Sequence, residues 1–275
     1  MVQDSSSDAA ALLAHIEAAA IAAAAFIRAR ALDRANIEWR SKSATDFVSD
    51  VDTGAERIIR AALQAAYPEA LILGEELSPD SPTSAHVAFI VDPLDGTTNF
   101  LHGYPEFAVS IAAAVRGELV AAVIIDVPAG DHFTATLGGG AFRNGAPIAV
   151  STIDDPSRAL IGTGFPFKKV EPLELYLRHF AAVARKTAGM RRAGSAALDL
   201  VSVACGHFDA FWELSLAPWD FAAGVLLVRE AGGVVTTVSG GEVPLAHSSL
   251  LAGNPDMHRW LARTLADATP AGATL

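Results

Sequence analysis

The sequence predicts a mixed α/β protein, in which an α+β N-terminal lobe precedes an α/β C-terminal lobe. Two long helical segments come first, and apolar strands separated by turns follow them. After a change of pattern near STIDDPSRAL, strands and helices alternate, which is typical of an α/β unit. The chain has 275 residues, 51% of them hydrophobic, so it can bury the core that two packed lobes require. We therefore predict lobes at residues 1–154 and 155–275, joined into one integrated unit without a flexible linker.

The first segment predicts a helix over residues 8–32, with Asp8 as its N-cap. It contains the apolar run AAAIAAAAFI. No basic region precedes this run, which argues against a signal peptide, and the run between Glu17 and Arg28 is too short to span a bilayer. We expect an amphipathic helix packed on the surface of a core, in a cytoplasmic protein that does not bind a membrane.

The remaining elements of the N-terminal lobe follow from apolar runs and their breaks. A second helix is predicted over residues 51–66, ending before Pro68. LILGEE and HVAFIVDPLDG are predicted strands on either side of SPDSPTSA, a loop of the length expected near a functional site. FAVSIAAAVRGELVAAVIIDVPAG and DHFTATLGGGAFRNG predict meandering antiparallel strands. The three glycines at 138–140 lack a following Gly-Lys-Ser/Thr and therefore indicate a hairpin turn, not a phosphate loop.

The C-terminal lobe is predicted from alternating segments. IGTGFPF predicts a strand, and EPLELYLRHFAAVARKTA predicts a helix. GMRRAGSAALDLVSVACGHFDAFWE predicts a strand, a turn, a helix and a strand, and PWDFAAGVLLVREAGGVVTT adds one more helix and strand. Cys205 lies in an apolar helical stretch, so we interpret it as a core residue.

Charge and cysteine content exclude several classes of protein. The formal net charge is -11, with 31 acidic and 20 basic residues, which argues against a broad nucleic-acid-binding surface. Anionic substrates remain compatible with this charge, because a bound cation reverses the local sign of an acidic site. A single cysteine excludes an internal disulfide framework and a Cys-rich zinc site.

Acidic residues gather at the ends of four predicted strands or helices. They are Asp46, Asp50 and Asp52, then Glu75 and Glu76, then Asp92 and Asp95, and finally Asp220. Hard oxygen ligands without nearby cysteine or histidine suit magnesium or manganese. The eight histidines show no metal-binding spacing, and we interpret His102 as a loop residue. Each cluster alone is better explained as a turn, a helix cap or a solvated surface. All four together indicate a metal site.

The stretch VDPLDGTTNF, residues 91–100, predicts a phosphate site beside that metal. Pro93 interrupts the strand, so Asp92 and Asp95 can point to one side of its end. Gly96 then allows close backbone approach, and Thr97 can begin a short helix whose N–H groups face an anion.

Several motifs resemble the inositol monophosphatase family of metal-dependent phosphatases. They are GEE at 74–76, DPLDGTTNF at 92–100, and PWDFAAG with EAGG near the C-terminus. GTGFPF, RRAGSAALDL and FDAFWELSLAPWD are similar to the bacterial members. The resemblance spans about residues 11–257. It implies the layered αβαβα sandwich of the inositol monophosphatase and fructose-1,6-bisphosphatase type, a homodimer, and two or three Mg²⁺ ions. Mn²⁺ is an expected substitute, and Li⁺ or Ca²⁺ an expected inhibitor.

The resemblance also implies roles for individual residues. The first metal would be held by Glu75, Asp92 and the Leu94 carbonyl, and a second by Asp92, Asp95 and Asp220. Thr97 and Asp52 would orient the attacking water, with Glu75 helping to activate it. Glu76 either orients Glu75 or is solvated.

Substrate contacts are implied in the same way. The Gly96 and Thr97 amides would bind the phosphate. The hydroxyls of the leaving alcohol would meet Asp95, the Ala196 amide, Glu213 and Asp220. Lys42 lies near a basic position of the family's metal loop but does not match its spacing, so we interpret it as a surface lysine.

The resemblance predicts a magnesium-dependent phosphomonoesterase that hydrolyses myo-inositol monophosphate or a similar polyol phosphate. Fructose-1,6-bisphosphatase, histidinol-phosphate phosphatase and nucleotide 3'-phosphatase activities are alternatives on the same fold. A regulatory protein-interaction role is the alternative outside the enzyme class. The expected partners are a small phosphate ester and a second copy of the chain, without direct nucleic-acid binding.

Overall fold

The computed structural model describes residues 3–41, 47–78, 85–165 and 173–271, with side chains from residue 9 onward. These residues form seven α-helices: α1 (Gln3–Ala31), α2 (Asp50–Ala66), α3 (Thr97–His102), α4 (Leu173–Ala184), α5 (Ala196–Ala204), α6 (Pro218–Glu230) and α7 (Pro255–Ala268). They also form fourteen strands: β1 (Trp39–Ser41), β2 (Phe47–Ser49), β3 (Leu71–Gly74), β4 (Val87–Asp95), β5 (Ala108–Val115), β6 (Glu118–Asp126), β7 (Asp131–Thr136), β8 (Gly140–Arg143), β9 (Ala146–Pro147), β10 (Leu160–Thr163), β11 (Gly189–Arg191), β12 (Ala210–Leu216), β13 (Val234–Thr236) and β14 (Ser248–Gly253). Lys42 and Asp46 lie outside the described residues, as do residues 79–84 of the predicted SPDSPTSA loop.

The elements stack in five layers, α, β, α, β and α. Helices α1 and α2 pack on one face of a seven-stranded sheet, and α5 and α6 pack on its other face. The same two central helices contact a five-stranded sheet, whose far face carries α4 and α7. This arrangement confirms the predicted layered αβαβα sandwich.

The seven-stranded sheet has the order β3-β4-β5-β6-β7-β8-β9. Strands β3 and β4 are parallel, and every later neighbouring pair is antiparallel, as the predicted meander requires. The three glycines 138–140 lie where β7 turns into β8, which confirms the predicted hairpin.

Strand β5 shows how an alanine-rich segment can serve as a central strand. Its alternate residues Val109, Ile111 and Ala113 belong to the core under α1 and α2. Ala112 and Ala114 face the opposite way, into the core around α5 and α6. Because side chains alternate along a strand, both faces are buried, and small residues allow helices to approach closely.

The five-stranded sheet has the order β11-β10-β12-β14-β13. Strand β10 is parallel to β11 and β12, whereas β14 is antiparallel to β12 and β13. Helix α6 contacts strands of both sheets and is buried on nearly all sides. The two sheets therefore share one central helical layer.

Helix α1 corrects part of the sequence prediction. It begins at Gln3, so Asp8 lies inside the helix and is not its N-cap. Within the described residues, α1 is the helix that is long and apolar enough over Ala9–Ala31 to cross a membrane, by length and composition alone. The prediction that this segment is too short to span a bilayer concerned the run between Glu17 and Arg28, and it does not hold for the whole helix. Its residues Ile16, Ala23 and Ile27 are nevertheless fully buried against the seven-stranded sheet.

Candidate active site

Several of the predicted site residues lie where β3 and β4 end. The two strands are parallel, with Gly74 opposite Val91. The next residues, Glu75 and Asp92, therefore leave the sheet at the same edge, and the Glu75 N–H donates to the Val91 carbonyl over 3.2 Å. The N-terminal ends of α2, α3 and α5 supply further residues to this end of the sheet. Carboxyl ends of parallel strands are a common place for sites in α/β folds.

The DPLD segment has an irregular backbone. Pairing of β4 with β5 shifts register between Asp92 and Asp95, at the position of Pro93, which removes a backbone donor. Asp92 is 1% exposed, and its Oδ1 accepts the Leu94 N–H over 3.0 Å. The carboxylate of Asp92 is therefore held by its own turn at the end of the strand.

Gly96 permits the sharp entry into α3. Its φ is +90°, a left-handed value, and a Cβ there would lie 2.8 Å from the Glu106 carbonyl oxygen. A side chain is therefore excluded by both backbone conformation and space. Asn99, which the motif contained but the sequence left unassigned, donates to the Glu106 carbonyl (2.7 Å) and to the Ala193 carbonyl (3.0 Å). It fastens α3 to the segment before α5.

Asp52 connects α2 to α3. It is the third residue of α2 and forms a capping box with Ser49, whose N–H donates to Asp52 Oδ2 over 2.8 Å. Its other oxygen accepts the Thr97 hydroxyl over 2.7 Å, and Thr97 Oγ1 also lies 3.2 Å from the Leu94 carbonyl oxygen. The pKa of Asp52 is raised to about 6, because burial and, more weakly, nearby Glu75 raise it by more than the hydrogen bonds from Ser49 and Thr97 lower it. The structure thus brings Asp52, Thr97 and Leu94 into direct contact, with Glu75 close by.

Glu56 is a site residue that the sequence analysis missed. It is fully buried on α2, and its carboxylate accepts the N–H groups of Glu76 (2.8 Å) and Leu77 (3.2 Å). Arg60 lies 3.3 Å from the same carboxylate. Burial is the largest influence on the pKa of Glu56 and raises it. Glu56 therefore holds the turn that carries Glu75, and this role requires a long-range contact that no local pattern indicates.

Asp95 is bound by the start of α5. Its Oδ2 accepts the Ser195 hydroxyl over 2.5 Å and the Ala197 N–H over 2.8 Å. Ser195 is also the N-cap of α5, where its Oγ accepts the Leu198 N–H. Ala196, the predicted contact of the alcohol, lies between these two donors in the chain.

Asp220 and Glu213 come from the C-terminal half of the chain. Asp220 is in the first turn of α6, and its Oδ2 accepts the Ala217 N–H over 2.7 Å. Glu213 lies on β12, 9% exposed, where pairing with β14 becomes irregular. A Cβ on Gly164 would lie 1.9 Å from Glu213 Oε2, so the glycine leaves the space that this carboxylate fills. Gly164 is the second glycine of the GTGFPF motif. The space that Glu213 needs explains why this position has no side chain.

Further carboxyl groups lie near Asp95 and Glu213, which are predicted to contact the leaving alcohol. Asp199 on α5 is 2% exposed, and burial holds its pKa well above the usual range, with Glu213, Glu106 and Asp95 raising it further. Burial, then Asp126 and Asp95, also raise the pKa of Glu106. Asp199 and Glu106 were absent from the sequence prediction, because neither belongs to a recognisable acidic cluster.

The donor chemistry at this end of the fold suits a hard cation. Carboxylates and the Leu94 carbonyl are the oxygen ligands that magnesium prefers. Within the described ranges, no three His, Cys, Asp or Glu side chains are grouped closely enough to form a ready-made metal centre. Within these ranges the predicted ligands therefore form no closed cluster.

Cys205 lies away from this chemistry. It is the C-cap of α5, half-buried and packed against the central core. Burial raises the pKa of its thiol to about 11, so the group is not a reactive thiolate at neutral pH.

Comparison with known proteins agrees with the fold and with these motifs. The sequence profile of the Inositol monophosphatase family matches residues 8–269. The chain belongs to the inositol monophosphatase family. The match confirms the predicted resemblance and extends it toward both ends.

Individual members of the family are similar over most of the chain. The Nus factor SuhB of Pseudomonas aeruginosa is 45% identical over 241 residues, covering 86% of this chain and 89% of that protein. The inositol-1-monophosphatase of Rhizobium meliloti is 47% identical over 219 residues, covering 80% of this chain and 82% of that protein.

Solved structures of the family show the same fold. The extragenic suppressor protein suhB from Bartonella henselae matches with a TM-score of 0.89 at 39% identity, covering 96% of this chain and 100% of that one. Inositol monophosphatase from Anabaena matches with a TM-score of 0.84 at 34% identity, covering 96% and 98%.

Proposed function

We propose that this member of the inositol monophosphatase family is a magnesium-dependent phosphomonoesterase that hydrolyses myo-inositol monophosphate or a similar polyol phosphate. The observation that carries the proposal is the contact of Asp52 with Thr97 and of Thr97 with the Leu94 carbonyl, beside Glu75 and Asp92. A capped helix, a strand end and a short helix meet there, which suits a reaction that depends on positioning and charge neutralisation.

The cation ligands in this proposal are the oxygen donors at the ends of β3 and β4 together with Asp220. They are Glu75, Asp92, the Leu94 carbonyl, Asp95 and Asp220. A magnesium ion held by these residues would supply a water of lowered pKa and neutralise charge on the phosphoryl oxygens. The amides of Gly96 and Thr97 would bind the phosphate.

Thr97 and Asp52 would control the proton of the attacking water. The Thr97 hydroxyl donates to Asp52, so its oxygen lone pairs remain to accept a hydrogen bond from water. The pKa of Asp52 is raised to about 6, which is near the range useful for a general base. Glu75, the neighbour of both, would assist in removing the proton.

The alcohol end would be formed by Asp95, Ala196, Glu213 and Asp220. Carboxylates accept hydrogen bonds from hydroxyl groups, which suits a polyol. Fructose 1,6-bisphosphate, histidinol phosphate and nucleotide 3'-phosphates are alternative substrates within the same proposal.

Phosphate release from myo-inositol 1-phosphate, with and without Mg²⁺, tests the enzyme. We expect turnover that requires the cation and is lost by at least a hundredfold in Asp92→Asn, because the ligand charge is removed. Asp267→Asn is the matched control, since Asp267 is an exposed residue of α7. Absence of turnover on every phosphate monoester tested would contradict the proposal, and wild-type activity in Asp92→Asn would show that the ligand is misassigned.

A regulatory role is the second candidate, because several relatives are named Nus factor SuhB. Such a role would use the surface of the fold and not its cation ligands. The Asp92→Asn variant therefore separates the two roles: catalysis is lost, whereas a protein-interaction function is retained.

Assembly and inhibition belong to the same proposal. We propose a cytoplasmic homodimer, inhibited by Li⁺ and Ca²⁺, in which Mn²⁺ can replace Mg²⁺. Sedimentation equilibrium of the full chain checks the dimer, and inhibition curves for the two cations check the metal site. A monomer at all concentrations would contradict the dimer alone.

A further inference from the structure

A cavity of about 460 Å³ lies where the end of α1 meets the segments that follow α3 and β6. Its size is within the range of small-molecule binding sites in proteins. Phe107 and Val127 are buried residues of its lining, and Leu32, which is 92% exposed, also lines it. Apart from two arginines, every lining residue is apolar or glycine. The cavity can therefore take up the apolar part of a ligand.

The two arginines of the lining, Arg28 and Arg34, make no ion pair with a carboxylate of the described residues. Arg28 Nη1 donates to the Val127 carbonyl over 3.4 Å. Arg34 Nη1 lies against Gly103, where a Cβ would be 2.7 Å away. Because each guanidinium carries five N–H donors, most of these donors remain available to an anion.

The charges around the cavity favour an anionic ligand. Among the described residues, no acidic side chain lines it. The acidic residues next to the lining in sequence are bound elsewhere, since Asp33 Oδ1 accepts the Asn36 amide over 2.8 Å and Asp126 Oδ1 accepts the Ala129 N–H over 2.9 Å. In a chain of net charge -11, two guanidinium groups at an apolar cavity therefore attract anions to one defined place.

The cavity lies close to the predicted phosphate-binding turn but does not include it. Phe107 makes an edge contact with Phe100 of α3, with ring centroids 5.4 Å apart. Its Cβ would lie 3.2 Å from a Cβ on Gly96. None of the proposed cation ligands lines the cavity. A ligand bound there would therefore occupy a place other than the proposed catalytic site.

We propose that this cavity binds an organic anion with an apolar body, whose charged group is held by Arg28 and Arg34 and whose body packs on Phe107 and Val127. Guanidinium groups bind carboxylate and phosphate oxygens through their N–H donors, and a sulfonate presents oxygens of the same charge. The site goes beyond the proposed phosphatase function and does not depend on it.

The test compares two fluorescent probes with the same apolar body, 8-anilinonaphthalene-1-sulfonate and the uncharged N-phenyl-1-naphthylamine. Titration of the full chain in Mg²⁺ buffer should show tighter binding of the sulfonate. Arg28→Met and Arg34→Met should each weaken sulfonate binding about fivefold, the scale of an exposed ion pair, and leave the uncharged probe unaffected. Arg259→Met is the matched control, because Arg259 is an exposed residue of α7 paired with Asp256, and both affinities should remain those of wild type.

A second variant tests the cavity and not the charge. Ala29 is an exposed residue of α1 that lines the cavity, so Ala29→Trp should fold normally and place an indole in the space. Both probes should then bind at least about tenfold more weakly. Ala14→Trp puts the same side chain at an exposed position of the same helix outside the lining, and it should bind both probes as wild type does. Thermal unfolding checks that each variant is folded.

Asp92→Asn separates this inference from the proposed function. Its affinity for the sulfonate should equal that of wild type, whatever its activity. Loss of sulfonate binding in this variant would place the probe at the catalytic cation and overturn the inference. Equal affinity of wild type for the two probes, unchanged sulfonate binding in both arginine variants, or binding that persists in Ala29→Trp would also overturn it, and none of these results would bear on phosphate release.

Discussion

At the scale of single residues, Gly74 shows why the GEE motif begins with glycine. A Cβ at this position would lie 2.2 Å from Glu56 Oε1 and 2.6 Å from its Cδ. In Gly74→Ala, Glu56 must move away from the amides of Glu76 and Leu77, leaving buried polar groups poorly paired. We expect a loss of about 1–3 kcal/mol in unfolding free energy and a lower kcat, since the Glu75 turn is displaced. Urea unfolding and phosphate release measure the two effects.

Gly241→Ala is the control for this substitution. Gly241 is exposed, and a Cβ there would meet only the Thr237 hydroxyl at 3.4 Å, an ordinary contact. Its stability and activity should remain those of wild type. Unchanged stability in Gly74→Ala would show that the Glu56 contact does not constrain the backbone.

The raised pKa of Asp52 predicts how the stability of the protein changes with pH. Its pKa is raised from 3.8 to about 6 on folding, so between these values the folded protein binds more protons than the unfolded chain. The contribution of Asp52 to stability therefore falls as the pH rises through this window and is lowest above it. Its size is on the order of 2–3 kcal/mol. In metal-free buffer, Asp52→Asn should become more stable relative to wild type between about pH 4 and about pH 7. A difference that is constant over this range, measured by urea unfolding, would contradict the raised pKa.

At the scale of elements, the cap of α5 also positions a site residue. Ser195 Oγ accepts the Leu198 N–H and donates to Asp95. Ser195→Ala should lower unfolding free energy by about 1 kcal/mol, as expected for an N-cap, and should lower kcat/KM because Asp95 loses a donor. Asn254→Ala removes the N-cap of α7, which packs on the far face of the five-stranded sheet. This control should lose stability without loss of kcat/KM in the folded protein. Equal activity of the two variants would show that the Ser195 contact does not position Asp95.

At the scale of the whole molecule, the proposed cation joins the two halves of the chain. Asp92 and Asp95 end a strand of the seven-stranded sheet, whereas Asp220 begins the helix that both sheets share. A ligand that binds only the folded state stabilises it by about 2.7 kcal/mol at a hundred times its Kd. For a chain of this size, in which 1 kcal/mol corresponds to about 2–4 °C, we expect Mg²⁺ at a hundred times its Kd to raise Tm by roughly 5–11 °C. Asp220→Asn should lose this increase and Asp267→Asn should keep it, by differential scanning calorimetry. An equal increase of Tm with Mg²⁺ in Asp220→Asn would show that Asp220 is not a ligand of the cation.

Elements with local signals could be predicted from the amino-acid sequence. Alternating apolar runs predicted the strands from Leu71 to Arg143, and the elements from Leu160 to Thr236 also appeared in the predicted order. Capping and helix-stop signals placed α2 within one residue of its start at Asp50. The start of α1 was wrong, because a long alanine run propagates a helix through serine and aspartate residues that would otherwise cap it. Strands β1, β2, β9 and β14 and helix α7 were not predicted.

The groups that surround the motifs depend on how distant parts of the chain pack together. The sequence marked Glu75, Asp92 and Thr97 as chemically important, because carboxylates beside glycine and proline at strand ends are a recognisable local pattern. It could not indicate that Glu56, 20 residues before Glu76, binds that residue's amide, or that Asn99 binds a carbonyl 94 residues away. Such contacts, and the burial that raises the pKa of Asp52 and Asp199, arise when separate layers pack together. Local patterns specify turns, caps and strand faces, whereas desolvation and long-range hydrogen bonds exist only after the chain has folded.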